Sequence, residues 1–267
     1  MQILRKLGVY GWDVLEDFIL ASLLTGDGLL MVGAHGAAKT YCANLVAQAL
    51  GVRFQKLDAS KAEFEDYLGF PNPKALSEGK FECVPTPISI FDKDFLFIDE
   101  INRAKPHTQN KLLEIVYSRQ IMGLPIAAKW VWGAMNLGEE YTGLEPLDAA
   151  FAGRFAWVLP VPQASAMNSE DLCQVIVSEG PEDAMALKTF WRERPAAGNG
   201  HKKLVFELSD FLLTAAGHYA TLQKKYDNDI AAWMQRLAKL FAGTMKTELD
   251  GRRLSMIRRN LLSVLAI

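Results

Sequence analysis

A short apolar run, a loop of small residues and a helix start constrain this chain more than any other stretch. The run is Leu29 to Val32, and the loop after it consists of Gly33, Ala34, His35, Gly36, Ala37 and Ala38. Lys39 and Thr40 then open a segment with apolar residues at helical spacing, which ends at Gly51, the position of a C-terminal cap. The stretch predicts a buried strand, a small-residue loop (residues 33–38) and a helix.

Such a loop before a helix favours binding of a phosphate group. Backbone N–H groups of the loop and the helix start would point at the anion, with no side chains in the way. Lys39 would reach the β- and γ-phosphates, and the Thr40 hydroxyl would ligate Mg²⁺. Ala38 stands where the phosphate-loop pattern G-x-x-x-x-G-K-[ST] has glycine. Taken alone, the stretch fits equally well a plain turn between a strand and a helix.

A second apolar run ends in two carboxylates. Phe95 to Ile98 predicts a buried parallel strand, and Asp99 and Glu100 follow it directly. Ligands of open α/β sheets bind in the crevice at the carboxyl ends of the strands. We therefore predict that Asp99 holds Mg²⁺ through water and that Glu100 orients and deprotonates an attacking water. The alternative is a solvated acidic turn.

Two further candidates follow the ends of predicted elements. The apolar run from Trp130 to Met135 ends at Asn136, whose amide would orient a water without adding charge near a γ-phosphate. A predicted short helix that starts at Leu147 ends at Arg154, a residue suited to stabilise phosphoryl transfer from a neighbouring subunit. The structural alternatives are an Asn that starts a turn and an arginine that matches the helix dipole.

The remaining periodicity divides the chain near residue 160. Before that point the pattern predicts a packing helix at 10–24, a strand at 52–57, a short helix after Asp58, an irregular segment at 69–93, a helix at 108–119 and a hairpin at 120–129. After it the pattern predicts helices at 169–179, 182–194, 209–225, 228–245 and 251–266, and a weaker strand at 203–207. We therefore predict an α/β domain over 1–160 and an all-helical domain over 161–267.

The composition disfavours one class of function and indicates a cellular compartment. The formal charge is -2, from 29 Lys and Arg against 31 Asp and Glu, which disfavours a nucleic-acid binder. Cys42, Cys83 and Cys173 lie far apart without metal-site spacing, so we expect a reducing compartment, the cytoplasm. No signal-peptide pattern is present at the N-terminus, and no run approaches the roughly 18 apolar residues of a membrane span.

Together these motifs resemble the AAA+ ATPases, and within them the MoxR group. The small-residue loop with Lys39 and Thr40 resembles the Walker A motif of that group, and Asp99 to Glu114 resembles its Walker B segment and the following helix. The segments that resemble sensor 1, the arginine finger and sensor 2 carry Asn136, Arg154 and Arg252, respectively.

The resemblance implies an αβα core with a parallel five-stranded sheet, a helical lid, and ATP with Mg²⁺ bound between them. It also implies a homo-hexameric ring in which Arg154 acts on the nucleotide of the neighbour and Arg103 faces the interface. The implied role is remodelling of a protein client, often with a partner that carries a von Willebrand factor A domain. None of these features follows from the spacing or the charge of the residues themselves.

Two other functions stay open at this point. The first is a nucleotide-gated scaffold with little turnover, which Ala38 suggests. The second is a nucleic-acid-directed motor, which the near-neutral charge disfavours. The sequence also leaves open the client, the pore residues and whether the native chain extends past Ile267.

Overall fold

Five parallel strands form the central sheet of the computed structural model, which describes residues 2–61, 67–80, 82–136, 153–178, 199–241 and 251–267. They are β1 (Leu29–Val32), β2 (Phe54–Asp58), β5 (Phe95–Asp99), β8 (Trp130–Met135) and β9 (Trp157–Pro160). The strand order is β2-β5-β8-β1-β9, and every neighbouring pair is parallel. Two antiparallel hairpins lie outside the sheet, one from β3 (Phe70–Pro71) and β4 (Cys83–Val84), the other from β6 (Gln120–Ile121) and β7 (Leu124–Pro125).

Helices flank the sheet and form the C-terminal part of the chain. They are α1 (Ile3–Lys6), α2 (Glu16–Thr25), α3 (Lys39–Leu50), α4 (Pro73–Ser77), α5 (Pro106–Ser118), α6 (Ser169–Ser178), α7 (Asn199–Leu240) and α8 (Gly251–Ala266). Short 3₁₀ turns cover Asp13–Leu15, Ile101–Arg103 and Ala164–Ala166. No described helix combines the length and the apolar character that crossing a bilayer requires.

Alternate residues of the strands bury their side chains in two separate cores. On β1, Leu29 and Met31 pack with residues of α2 and α3, whereas Leu30 packs with residues of α5 on the other face. Strands that are covered on both faces read as continuous apolar runs, which is why β1, β5 and β8 are visible in the sequence. The result is the predicted αβα arrangement with its parallel five-stranded sheet.

Three predictions of secondary structure were wrong. The segment 69–93, expected to be irregular, contains the β3–β4 hairpin and α4. The two helices expected at 209–225 and 228–245 are one helix, because the polar residues between them include no proline or glycine that would end it. The strand suggested at 203–207 lies inside the same helix, since an apolar run this short does not distinguish the two structures.

Some predicted elements fall outside the described residues. These are the helix at 182–194, nearly all of the short helix that ends at Arg154 and most of the short helix after Asp58. The proposed boundary near residue 160 also stays a prediction.

The C-terminal helices contact the core directly. Helix α7 packs against α2 and α3, and α8 packs against α2. Arg259 of α8 forms a two-point ion pair with Asp27, at 2.9 and 3.0 Å, and Asn260 donates to the carbonyl of Ala156.

We predict that Trp132→Ala lowers the free energy of unfolding by about 3–5 kcal/mol, because it leaves a large cavity in the core. Trp132 is fully buried, stacks edge-on against Phe95 and donates from Nε1 to the Ser22 hydroxyl at 3.0 Å. Trp132→Phe should cost less, since it keeps a ring there. Val158→Ala on the edge strand β9, where the side chain is exposed, should stay within about 0.5 kcal/mol. Urea denaturation measures all three, and equal costs for Trp132→Ala and Val158→Ala would contradict the assignment of Trp132 to the core.

Candidate functional site

A cavity of about 420 Å³ lies at the carboxyl ends of β1, β2, β5 and β8. Parallel strands bring the residues that follow them to one edge of the sheet, so segments far apart in sequence meet there. The cavity is lined by His35, Gly36, Ala37, Ala38, Lys39, Thr40, Tyr41, Lys56, Asp58, Lys61, Asp99, Glu100 and Asn136. Gly33 and Ala34 contribute through their carbonyl groups, which accept hydrogen bonds from Lys39. All but two of the residues predicted for the site therefore lie in or beside this cavity.

Two residues other than glycine adopt left-handed backbone conformations at the cavity. Ala38 has φ +59° and Glu100 has φ +53°. A side chain in this region costs about 1–2 kcal/mol, and such strain is concentrated at functional sites. The left-handed backbone at position 38 explains why the phosphate-loop pattern has glycine there. In this chain alanine adopts that conformation at the start of α3. At Gly36, with φ +78°, no atom lies within 4 Å of where a Cβ would stand, so the loop is open to the cavity there.

The ammonium group of Lys39 makes three hydrogen bonds, one for each of its protons. It donates to the carbonyls of Gly33 and Ala34, at 2.8 and 2.7 Å, and to Oδ1 of Asn136 at 2.9 Å. The residue is 7% exposed. Burial lowers the pKa of Lys39, while the carboxylates of Asp99 and Glu100 oppose that shift. A buried cation at a helix start is a suitable partner for a phosphate.

Asp99 is the centre of a second cluster of contacts. Its Oδ2 accepts from the Thr40 hydroxyl at 2.9 Å and lies 2.8 Å from Nζ of Lys56. Its Oδ1 accepts from the backbone N–H of Glu100 at 3.0 Å. The two groups predicted to bind Mg²⁺, the Thr40 hydroxyl and the Asp99 carboxylate, are therefore in direct contact.

Glu100 and Asn136 are each held by a neighbour. Arg103 lies 3.3 Å from the Glu100 carboxylate. Asn102 donates to the backbone carbonyl of Asn136 at 2.9 Å, and both asparagines are almost fully buried. These bonds fix the strand ends that carry the predicted water-orienting groups.

Arg154 lies elsewhere, at the opposite end of the sheet. Its guanidinium stands over the ring of Tyr117, 4.8 Å from the ring centre. It lines a second cavity of about 260 Å³ with Gly28 and Ala156, which directly precede β1 and β9. That cavity is therefore at the amino ends of the strands.

Arg252 lies near the start of α8, and its side chain is outside the described residues. Ser255 and Met256, on the next turn of α8, line the second cavity rather than the cavity of Lys39.

Several lining residues were not identified from the sequence. Lys56 and Asp58 lie at the end of β2, Lys61 follows that strand, and Tyr41 follows Thr40. In the sequence, Lys56 is one of the polar residues of a strand in which apolar and polar residues alternate. Such a position does not by itself indicate a function. Asn102 was visible within the Walker B segment, but its contact with Asn136 depends on the fold.

The donor set fits Mg²⁺ only if a nucleotide shares in binding it. Within the described ranges, no group of three or more His, Cys, Asp or Glu residues could hold a metal. Thr40 and Asp99 supply one hydroxyl and one carboxylate, and Mg²⁺ at phosphate sites completes its shell with phosphate oxygens and water. The oxygen ligands present are thus those expected for nucleotide-bound Mg²⁺.

A family model and two curated relatives match parts of this chain. Residues 28–155 match a family model described as "ATPase family associated with various cellular activities (AAA)". The chain is 24% identical over 235 residues to the chaperone MoxR1 of Mycobacterium tuberculosis, a match that covers 85% of this chain and 60% of that protein. These matches support a MoxR-type AAA+ ATPase. The match to a family of ATPases also supports nucleotide binding by this chain.

Two further proteins are similar to this chain. An uncharacterised protein of Bacillus subtilis, YojN, is 29% identical over 191 residues, which are 65% of this chain and 60% of YojN. A crystal structure from Cytophaga hutchinsonii, whose ATPase assignment is itself provisional, superposes with a TM-score of 0.51 at 19% identity, over 96% of this chain and 83% of that one. This likeness supports the fold. The chain spans about 60% of the length of the two curated relatives.

We predict that Ala38→Gly is more stable than Ala37→Gly by about 1–2 kcal/mol, because only Ala38 has a left-handed backbone. Both alanines are half-buried against the same core, so the loss of a methyl contact and the greater freedom of the unfolded chain are nearly matched. Thermal or urea denaturation of the nucleotide-free proteins measures the difference. Equal stabilities would show that the loop does not strain Ala38.

Proposed function

We propose that this chain is a MoxR-type AAA+ ATPase that depends on Mg²⁺ and works in an oligomeric ring to remodel a protein partner. The observation that supports this most directly is the convergence of Lys39, Thr40, Asp99, Glu100 and Asn136 on one cavity. These residues come from three separate strand ends, and each has the chemistry that one part of phosphoryl transfer needs.

In the proposed reaction, the small-residue loop and the start of α3 hold the phosphates of ATP. Lys39 would exchange the carbonyls of Gly33 and Ala34 for oxygens of the β- and γ-phosphates while it keeps Asn136, and its burial would strengthen the contact with phosphate. Thr40 would hold Mg²⁺ directly and Asp99 would hold it through water, and bound Mg²⁺ would neutralise charge on the phosphates. The site thereby positions the γ-phosphate at the carboxyl end of β5.

Glu100 accepts a proton from the water that attacks the γ-phosphate. Its strained backbone and its contact with Arg103 fix the carboxylate at the strand end. Asn136 is held by Asn102 and by Lys39, so its amide has a defined orientation beside the phosphates. Phosphoryl transfer depends mainly on such positioning and on charge stabilisation.

Arg154 is proposed to act on the nucleotide of a neighbouring subunit. It lies at the end of the sheet opposite to Lys39, so it does not serve the cavity of its own chain. A ring in which the amino ends of one sheet face the nucleotide of the next subunit gives Arg154 a role, and the resemblance implies a hexamer. Arg252 remains a proposed sensor of nucleotide on the sequence resemblance alone.

The client and partner are proposals drawn from the relatives. MoxR1 is named a chaperone, which supports a protein client for this chain. A partner with a von Willebrand factor A domain, a cytoplasmic location and a core over 1–160 with a lid over 161–267 follow the same resemblance. The formal charge of -2 continues to disfavour a nucleic-acid partner.

We predict that Glu100→Gln retains ATP binding and lowers turnover by about 10²–10⁴-fold, because the amide cannot accept the proton of the attacking water. Lys39→Ala should lose both ATP binding and turnover. Fluorescent-nucleotide titration and phosphate release measure the two properties on the same samples.

The matched control is Glu78→Gln, at an exposed carboxylate beyond α4 that pairs with Lys80. Wild-type turnover in Glu100→Gln would remove this residue from the role of base, and nucleotide binding without turnover in the wild type would favour the scaffold function.

We predict that a mixture of Arg154→Ala and Lys39→Ala subunits hydrolyses ATP although each variant alone is nearly inactive. In a mixed ring, the intact Arg154 of a Lys39→Ala subunit serves the intact nucleotide site of its neighbour. Phosphate release across mixing ratios, with light scattering to follow the assembly, measures this rescue. An assembled mixture that gains no activity would contradict action of Arg154 on a neighbouring site.

A further inference from the structure

Lys56 makes a contact at the candidate metal ligand that the proposed reaction does not use. Its ammonium nitrogen lies 2.8 Å from Oδ2 of Asp99, the same oxygen that accepts from Thr40. The residue projects from β2, the edge strand next to β5, and it lines the cavity of the small-residue loop. A cation of the protein thus lies against the carboxylate oxygen that would hold the proposed Mg²⁺ through water.

We propose that Lys56 is a built-in counter-ion that occupies Asp99 in the nucleotide-free protein and restricts the site to metal that arrives with a nucleotide. This inference rests on the proposed binding of Mg²⁺ and ATP at this cavity. Lys56 is assigned the role of a positioning and selectivity residue, since it acts through Asp99 rather than on the reacting atoms.

The charge of the cluster supports this role. Asp99 and Lys56 neutralise each other, so the pair offers a free divalent cation little net attraction. Thr40 adds only a neutral hydroxyl, and Mg²⁺ gives up its water reluctantly. Free metal must therefore displace Lys56, and the other two carboxylates of the cavity, Asp58 and Glu100, are already paired with Lys61 and Arg103. The phosphates of a nucleotide would provide Lys56 with another acceptor, because Lys56 lines the same cavity.

The exposure of Lys56 allows such an exchange. Its side chain is 45% exposed, whereas Lys39 is 7% exposed and held by three hydrogen bonds. An ion pair whose lysine is this exposed contributes little to stability, so Lys56 loses little free energy when it leaves Asp99. The two lysines therefore have different roles. Lys39 is held in place by the loop, and Lys56 is able to leave Asp99.

The first test uses Mn²⁺ as the probe and the nucleotide-free protein. Electron paramagnetic resonance of the free ion gives the affinity for wild type, Lys56→Met and Lys61→Met. Lys56→Met should bind Mn²⁺ at least about tenfold more tightly than wild type, because the competing cation is gone. Lys61→Met is the matched control: Lys61 lines the same cavity but pairs with Asp58 at 3.2 Å rather than with Asp99, so its removal should raise the affinity much less than Lys56→Met does. Asp99→Asn added to Lys56→Met should abolish the gain.

The second test measures how much a bound nucleotide raises the affinity for Mn²⁺. The ratio of the two affinities should be at least about tenfold smaller in Lys56→Met than in wild type, because nucleotide and metal affinities are thermodynamically linked. A slowly hydrolysed ATP analogue serves as the nucleotide, and melting temperatures confirm that each variant is folded.

The outcomes separate this inference from the proposed function. An unchanged Mn²⁺ affinity in Lys56→Met, or an equal gain in Lys61→Met, would overturn the role of Lys56 even where the wild type binds nucleotide. Failure of the wild type to bind the ATP analogue with Mn²⁺ would overturn the proposed function. In that case the nucleotide-free comparison would still decide whether Lys56 competes with metal at Asp99.

Discussion

The hydrogen bonds of Lys39 hold the candidate site together. Its ammonium group joins the carbonyls that follow β1 to the side chain of Asn136, which follows β8. The two strands are adjacent and parallel, so their carboxyl ends lie side by side and one lysine can connect them. A buried ammonium needs all of its protons paired, because an unpaired one costs considerable free energy in the low-dielectric interior. The loop geometry, the orientation of Asn136 and the charge presented to a phosphate therefore depend on the same group.

Two residues that line the cavity of Lys39 have strained backbone conformations. Ala38 stands at the start of α3 and Glu100 at the end of β5, and both adopt conformations that favour glycine. The surrounding structure over-determines both conformations. The carboxylate of Asp99 accepts the N–H of Glu100, and the side chain of Ala38 packs against the core. Both residues line the cavity, and backbone strain of this kind is concentrated at functional sites.

The two ends of the sheet present different chemistry. The carboxyl ends carry the cavity of Lys39 and Asp99, in which cations and carboxylates are interleaved. The amino ends carry Arg119, Arg154 and Arg259 around a smaller cavity, where Arg259 is paired with Asp27. Because β-strands are rigid and parallel, neither set reaches across the sheet. An arginine at one end and a phosphate site at the other suit an assembly in which successive subunits meet end to end.

The sequence by itself determined the parts of the fold whose signal is local. Continuous apolar runs predicted β1, β5 and β8, and the small residues before Lys39 predicted the loop and the start of α3. The edge strand β9 was not predicted from its own residues, because half-exposed strands lack a continuous run. The sequence predicted two helices where the structure has the single helix α7. The polar residues in its middle resemble a loop when the tertiary contacts of the helix are unknown. Only the tertiary structure decided that Lys56 contacts Asp99, that Asn102 supports Asn136 and that Arg154 lies away from Lys39. These relations join residues from different strands, and distances between strands depend on register and strand order, which local patterns do not encode.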